Sequence, residues 1–366
     1  MIIRKSFVKS GAMLLCLLIL AFSSPSAVNG QKRQLPDKRG DTADDYVIIE
    51  GDIQVSPSFY QELVEASRWP QAAPIKYASE LWPNGMVPFE FDDNVTPAHQ
   101  SFTRDAMDIL AAVANVHFRQ CNNNKCGPIN YVHFQNSDEN SSRVGMKGGG
   151  GSPKFPTAGK QTIKIHDWDF PFVIVHELMH CLGFFHEHSR PDRGNYVRIN
   201  CNNVKGGCGG DNFSVNLAIE GDARSYGDYD FDSVMHYKRC AFSSNTACPN
   251  ITPEFPDGGV TIQVLPPYDT EWQFRIGNTD HISALDVMGV SFLYPFPDWR
   301  FLDSSYTGGS SNGSFHRPYT TFAQAVANTP AGGTIWLLKS QTIPAVGTYD
   351  KQIKVKAAPG VIATLE

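Results

Sequence analysis

Apolar and polar positions divide the chain into stretches of different period. Met86 to Phe91 is a short apolar run of strand length. Thr96 and Pro97 then supply an N-cap and a first-turn proline, and Phe102, Ala106, Ile109, Leu110 and Val113 recur at helical spacing. Short runs at Val116 to Gln120, Tyr131 to Phe134, Arg143 to Met146 and Thr162 to His166 predict further strands. A second helix is predicted from about Phe172 to Leu182, with Val173, Val175, Met179 and Leu182 available for packing. The glycine run 148–151 predicts a loop between two strands. It is not a phosphate loop, because Gly159-Lys160 is followed by Gln161 and the upstream glycine is missing.

The amino terminus has a different pattern. Arg4, Lys5 and Lys9 precede the apolar run Gly11 to Phe22, and small polar residues follow, which predicts a secretory signal peptide over 1–30 with Gln31 as the first residue after cleavage. The run is too short to span a bilayer comfortably, so no stable membrane insertion is expected. Residues 31–72 are polar, carry the dibasic pairs Lys32-Arg33 and Lys38-Arg39, and read as a pro-segment. At 366 residues, with 41% hydrophobic and 19% charged positions, most of the rest should fold, and a net charge of −6 gives no reason to expect a nucleic-acid partner.

Removing the signal peptide takes Cys16 away and leaves seven of the eight cysteines in a chain bound for an oxidising compartment. Six come in close pairs: Cys121 with Cys126, Cys201 with Cys208, and Cys240 with Cys248. Local disulfides are the preferred reading, and other connectivities stay open. Cys181 is left over and reads as a small buried thiol.

The strongest chemical signal is the run from His176 to His186. His176 and His180 are four residues apart on a helix, so both imidazoles leave one face and can share an ion. Gly183 has the freedom to end that helix and turn the chain, returning His186 as a third ligand. Glu177 sits beside the ligands, within reach of a water on the metal. Three neutral histidines with one open position describe a catalytic Zn2+ site, one ion per domain. Five fixed positions arise by chance at roughly one site in a few million, which leaves a histidine-rich buried helix as a poor rival.

The motif continues as Glu187-His188-Ser189-Arg190-Pro191-Asp192-Arg193, and later the chain reads Ser233-Val234-Met235-His236-Tyr237. Together these resemble the astacin family of metzincin zinc endopeptidases. The resemblance covers roughly 48–295, including Leu81 to Phe89 with Trp82. It implies an α+β fold: a twisted mixed sheet with the active-site helix over an irregular lower subdomain, in a peptidase domain over 73–297. It also implies that Glu177 is the general base, that Met235 floors the metal, and that Tyr237 is an extra ligand able to stabilise an oxyanion. Glu187 would anchor a new amino terminus near Ala72 or Ala73. Ile49-Glu50-Gly51-Asp52 resembles the family's propeptide motif, with Ile49 for the usual Phe, and implies that Asp52 holds the metal in a latent zymogen. Tyr237 to Ser243 resembles a stretch of tolloid-like members, where Arg239 would line the substrate cleft and favour an acidic residue. The long-range disulfides usual in the family have no cysteines here, near Asn115 and Trp168 among others.

Past Pro297, residues 303–315 are rich in Gly and Ser and predict a linker or a long turn. Arg317 to Val326 and Gly332 to Leu337 resemble the opening of a right-handed parallel β-helix, so 298–366 is expected to be a short carboxy-terminal β unit. The expected function is a secreted endopeptidase acting on extracellular proteins or peptides. A zinc-bearing adhesion protein and a polysaccharide-acting enzyme are the rivals. The intact Glu177 speaks against the first, and the lack of clustered carboxylates in the tail against the second.

Overall fold

The computed structural model describes residues 46–49, 51–55, 80–146, 159–190, 192–208, 227–343, 351–358 and 361–365. The predicted signal peptide, the dibasic pairs, the glycine run and the expected mature terminus lie outside them. Strands β1 (Val47–Ile49) and β2 (Ile53–Val55) form an antiparallel hairpin within the stretch expected to be a pro-segment. A four-stranded sheet follows, built from β3 (Met86–Phe91), β4 (His117–Gln120), β5 (Tyr131–Asn136) and β7 (Lys160–Ile165) in the order β4-β3-β5-β7. Its named strands run parallel, and the antiparallel bridge of Ser141 to Lys164 on the β7 edge makes the sheet mixed. Strand β6 (Ser142–Arg143) leaves that edge and pairs in parallel with β2.

Helix α1 (Pro97–Val113) opens on Thr96, whose Oγ1 accepts from His99 N, with Pro97 in the first turn. Its buried residues are Thr103, Ala106, Met107 and Leu110. Phe102 and Ile109 pack only at the rim of the core, so the expected apolar stripe is rotated by about one position. Helix α2 (Pro171–Leu182) buries Ile174, Val175, Leu178, Met179 and Leu182 under the sheet, and Val173 stays half-exposed. It ends at Gly183, whose φ of +112° suits glycine and ends the helix in the left-handed region. The β3, β5 and β7 side chains Phe89, Phe91, Val132, Phe134, Ile163 and Ile165 complete this core.

The lower half is sparse in regular structure. Strands β8 (Val197–Ile199) and β9 (Ile262–Val264) pair antiparallel, α3 (Asp269–Trp272) is one short turn, and α4 (Ala284–Leu293) closes the domain. A second core of Val197, Tyr229, Phe231, Ile262 and Val264 holds this half together. All three local disulfides form as expected, and Cys181 is a buried free thiol whose pKa burial pushes up to about 12.

The carboxy-terminal unit contains β10 (Trp299–Leu302), α5 (Phe322–Asn328), β11 (Thr334–Leu337), β12 (Gln341–Ile343), β13 (Lys354–Ala357) and β14 (Ala363–Leu365). Strands β10, β11 and β13 pair in parallel, as do β12 and β14. The stretch 303–315 is a long turn and not a spacer: Gly313 O accepts from Phe301 N, and Phe315 is buried. The expected boundary at Pro297 carries no gap in packing either. Phe292 of α4 meets the rings of Phe301, Phe315 and Trp336 at 5.1, 5.6 and 5.0 Å, so one core spans both units.

Candidate metal centre

Helix α2 presents His176 and His180 one turn apart, and the chain reversal after Gly183 brings in His186. The rings of His180 and His186 are fully buried. Nδ1 of His176 donates to Val234 O across 2.8 Å, and Nδ1 of His180 donates to Phe184 O across 2.6 Å. Those bonds fix the tautomers and leave the Nε2 lone pairs facing inward. Burial lowers the pKa of His180 to about 4, which keeps that imidazole neutral and able to ligate.

The β1–β2 hairpin brings Asp52 into this cluster. Its Oδ2 lies 3.3 Å from His176 Nε2, and its Oδ1 lies 3.7 Å from His180 Nε2 and 3.1 Å from His186 Nε2. The four donor atoms all fall within 4.8 Å of one another. Gly51 makes the approach feasible: its φ is +87°, and a Cβ there would stand 2.4 Å from the Phe242 ring.

Zinc fits these residues. Ligand atoms at the corners of a zinc tetrahedron stand about 3.3 Å apart, given Zn–N and Zn–O distances of about 2.0–2.1 Å. The His176 and His186 Nε2 atoms are 3.3 Å apart, and the Asp52 contacts bracket the same value. Among the described residues, neither His180 Nε2 nor Asp52 Oδ1 has a hydrogen-bond partner, though both are buried. Facing lone pairs without protons between them call for a cation.

A family model described as Astacin (Peptidase family M12A) matches residues 74–295. The chain belongs to the astacin family. Mouse Tolloid-like protein 1 is 28% identical over 273 residues, 74% of this chain and 24% of that protein. Nematocyst expressed protein 6 of Nematostella vectensis is 30% identical over 217 residues, 58% of this chain and 65% of that protein. The chain thus spans about a quarter of the Tolloid-like relatives it matches. Among solved structures, the medaka (Oryzias latipes) hatching enzyme HCE-1 aligns with a TM-score of 0.45 at 22% identity, over 63% of this chain and 95% of that one.

Glu177 is 1% exposed, and its Oε2 has no hydrogen-bond partner among the described residues. Burial, then the charges of Asp52 and Glu139, raise its pKa well above the ordinary range. Met235 lies buried in the core, its carbonyl accepting from Glu187 N at 3.0 Å. Tyr237 packs against the His186 ring at 4.3 Å and donates its phenolic O–H to Asp52 Oδ2 at 3.1 Å.

Glu187 is already engaged in this structure. Its Oε1 accepts from Arg190 Nη1 and from Asp230 N, both at 2.8 Å, and burial raises its pKa to about 7. Arg190 also pairs with Asp192 at 2.8 Å. Arg239 lays its guanidinium over the Phe274 ring, 4.3 Å from the centroid.

Sequence reading missed Asp286. Its Oδ1 accepts from Ser233 Oγ at 2.7 Å and its Oδ2 from Val234 N at 2.8 Å, so it holds the residue whose carbonyl orients His176. The Ser283-x-x-Asp286 capping pattern was a legible helix start, and the structure contains that capping box. Its second role bridges a separation of 52 residues to Val234 and leaves no local signal.

Proposed function

We propose that the chain is a secreted zinc endopeptidase of the astacin type, held latent by its own pro-segment. The observation that carries this reading is the convergence of the His176, His180 and His186 imidazoles on the Asp52 carboxylate, with all four donor atoms within 4.8 Å of one another. His176, His180 and His186 hold the metal. When bound, zinc acidifies water and polarises a peptide carbonyl. Glu177 is the general base: adjacent to His176 and buried, it takes a proton from the attacking water and returns it to the leaving amine. Tyr237 turns its O–H from Asp52 to the carbonyl oxygen as negative charge develops there. Its substrates are extracellular proteins or peptides, and the three disulfides accord with an oxidising destination.

Asp52 supplies latency, since it fills the position that the reaction needs. Strand β2 adds to it by pairing with β6, which covers that sheet edge with pro-segment backbone. Removal of the pro-segment would free both. Glu187 then exchanges its Arg190 contact for the new amino terminus, a swap of one buried cation for another.

The test is Glu177→Ala in the processed protein. Zinc content by elemental analysis should stay near one per chain, while turnover of a fluorogenic peptide falls about 10²–10⁴-fold. Near-normal turnover would remove Glu177 from the mechanism.

A further inference from the structure

The hairpin that carries Asp52 also sets Tyr46 between two charged side chains outside the metal cluster. The Tyr46 O–H donates to Glu139 Oε1 across 3.3 Å, and the same oxygen accepts from Lys164 Nζ. Lys164 Nζ lies 5.0 Å from the centre of the Tyr46 ring and 3.0 Å from Glu139 Oε1. The Lys164 and Glu139 side chains are 20% and 26% exposed, so both keep a face toward an incoming group. Burial pulls the Lys164 pKa down, but its bonds to Tyr46 and Glu139 outweigh it and raise the value.

The pair stands beside the proposed catalytic centre. Lys164 bridges Ser141, and the next residue, Ser142, donates its backbone N–H to Asp52 O across 2.8 Å. When the pro-segment leaves, Tyr46 leaves with it and the two charges are uncovered at the cleft.

We propose that Glu139 and Lys164 form a substrate subsite selective for a tyrosine side chain, which Tyr46 fills in the latent form. This rests on the peptidase reading above. A phenol suits the pair because its O–H donates to the carboxylate while its oxygen accepts from the ammonium. Phenylalanine keeps the ring contact with Lys164 but leaves both polar groups unanswered. An acidic side chain meets Glu139 with like charge, and a basic one meets Lys164 in the same way.

The experiment uses processed full-length protein and two readouts. Matched peptides carry Tyr, Phe, Glu or Ala at successive positions on either side of the scissile bond. At one position Tyr should exceed Phe by about tenfold in kcat/KM, the worth of a hydrogen bond to a charged group. Lys164→Met removes one of the two hydrogen bonds and should reduce the Tyr-to-Phe ratio of kcat/KM. The second readout is calorimetric binding of a synthetic peptide spanning Tyr46 to Val55 and of its Tyr46→Phe version, with about tenfold weaker binding expected for the latter.

Equal kcat/KM for Tyr and Phe at every position overturns the subsite, as does an undiminished preference in Lys164→Met. If no peptide is cut at all, the peptidase reading has failed. The binding comparison still decides the subsite, and equal affinities overturn it.

Discussion

The phenol of Tyr237 donates to Oδ2 of Asp52 across 3.1 Å, tying the proposed oxyanion donor to the proposed pro-segment. In the same contact Asp52 reaches His176 and His186 at 3.3 and 3.1 Å. One carboxylate therefore engages both the histidine cluster and the donor that the proposed reaction needs. Cleavage of the pro-segment would release the two together.

Asp52→Ala should make the unprocessed chain leaky, because no other described side chain of the pro-segment reaches the histidines. Loss of the hydrogen bond that Tyr237 donates to this charged acceptor predicts a rise in pro-form turnover of about tenfold to a hundredfold. Gly51→Ala should act in the same direction, since its added Cβ meets the Phe242 ring at a positive φ. Fluorogenic-peptide turnover by uncleaved protein checks both. A silent Asp52→Ala would mean that β2 on the β6 edge blocks the cleft by bulk alone.

The histidine cluster was legible because its ligands lie within one helix and one turn, where spacing dictates direction. The three disulfides were legible for the same reason, each closing a short loop. Long-range pairings were not. No pattern near Gln54 announces Arg143 as its strand partner, and none near Tyr46 announces Lys164. The α1 stripe was misplaced because Thr103 and Met107 owe their burial to tertiary packing. Thr103 also satisfies its own hydroxyl by donating to His99 O, which removes the usual cost of burying it. The Gly/Ser-rich turn concealed Phe315, an anchor that composition alone averages away.

Asp286 gives a pH-dependent prediction. Burial, then the nearby charge of Asp230, raises its pKa to about 6 against hydrogen bonds that pull it down. A folded carboxyl that holds its proton more tightly than an unfolded one loses stability on ionisation. That contribution is intact below the unfolded value of about 3.9 and is lost as pH rises through about 6. Asp286→Asn cannot ionise, so its stability relative to wild type should improve by about 3 kcal/mol between about pH 4 and pH 7. Paired urea titrations across that range read the difference. A flat difference would mean that Asp286 is already ionised in the folded protein at pH 4.

The shared core predicts that the carboxy-terminal unit and the metal-bearing domain unfold together. Trp336 is 7% exposed and sits 5.0 Å from Phe292, which is 1% exposed in α4. Trp336→Ala should remove about 3–5 kcal/mol, as for other large aromatic truncations in cores. Urea unfolding followed by far-ultraviolet circular dichroism should show one transition moved to lower denaturant. Two separate transitions in wild type would show that the units are energetically independent.

Specificity after the scissile bond is predicted from Arg239 and Phe274. The guanidinium rests on the Phe274 ring at 4.3 Å, a stacking that fixes its plane without using its hydrogen-bond donors. Burial lowers the Arg239 pKa, and an arginine stays protonated through such a shift. Its backbone carbonyl accepts from Thr261 N at 2.9 Å and Ile262 N at 3.1 Å, so the residue's position is fixed at both ends. A substrate Asp or Glu can then be met bidentately. The processed enzyme should prefer an acidic residue immediately after the cleaved bond, and Arg239→Ala should weaken that preference about tenfold while apolar sites change little. Phe274→Ala leaves the charge but frees the side chain, so a smaller loss is expected. Cleavage-site profiling on a proteome-derived peptide library decides the matter: a flat or apolar profile in wild type rules out an acidic subsite at Arg239.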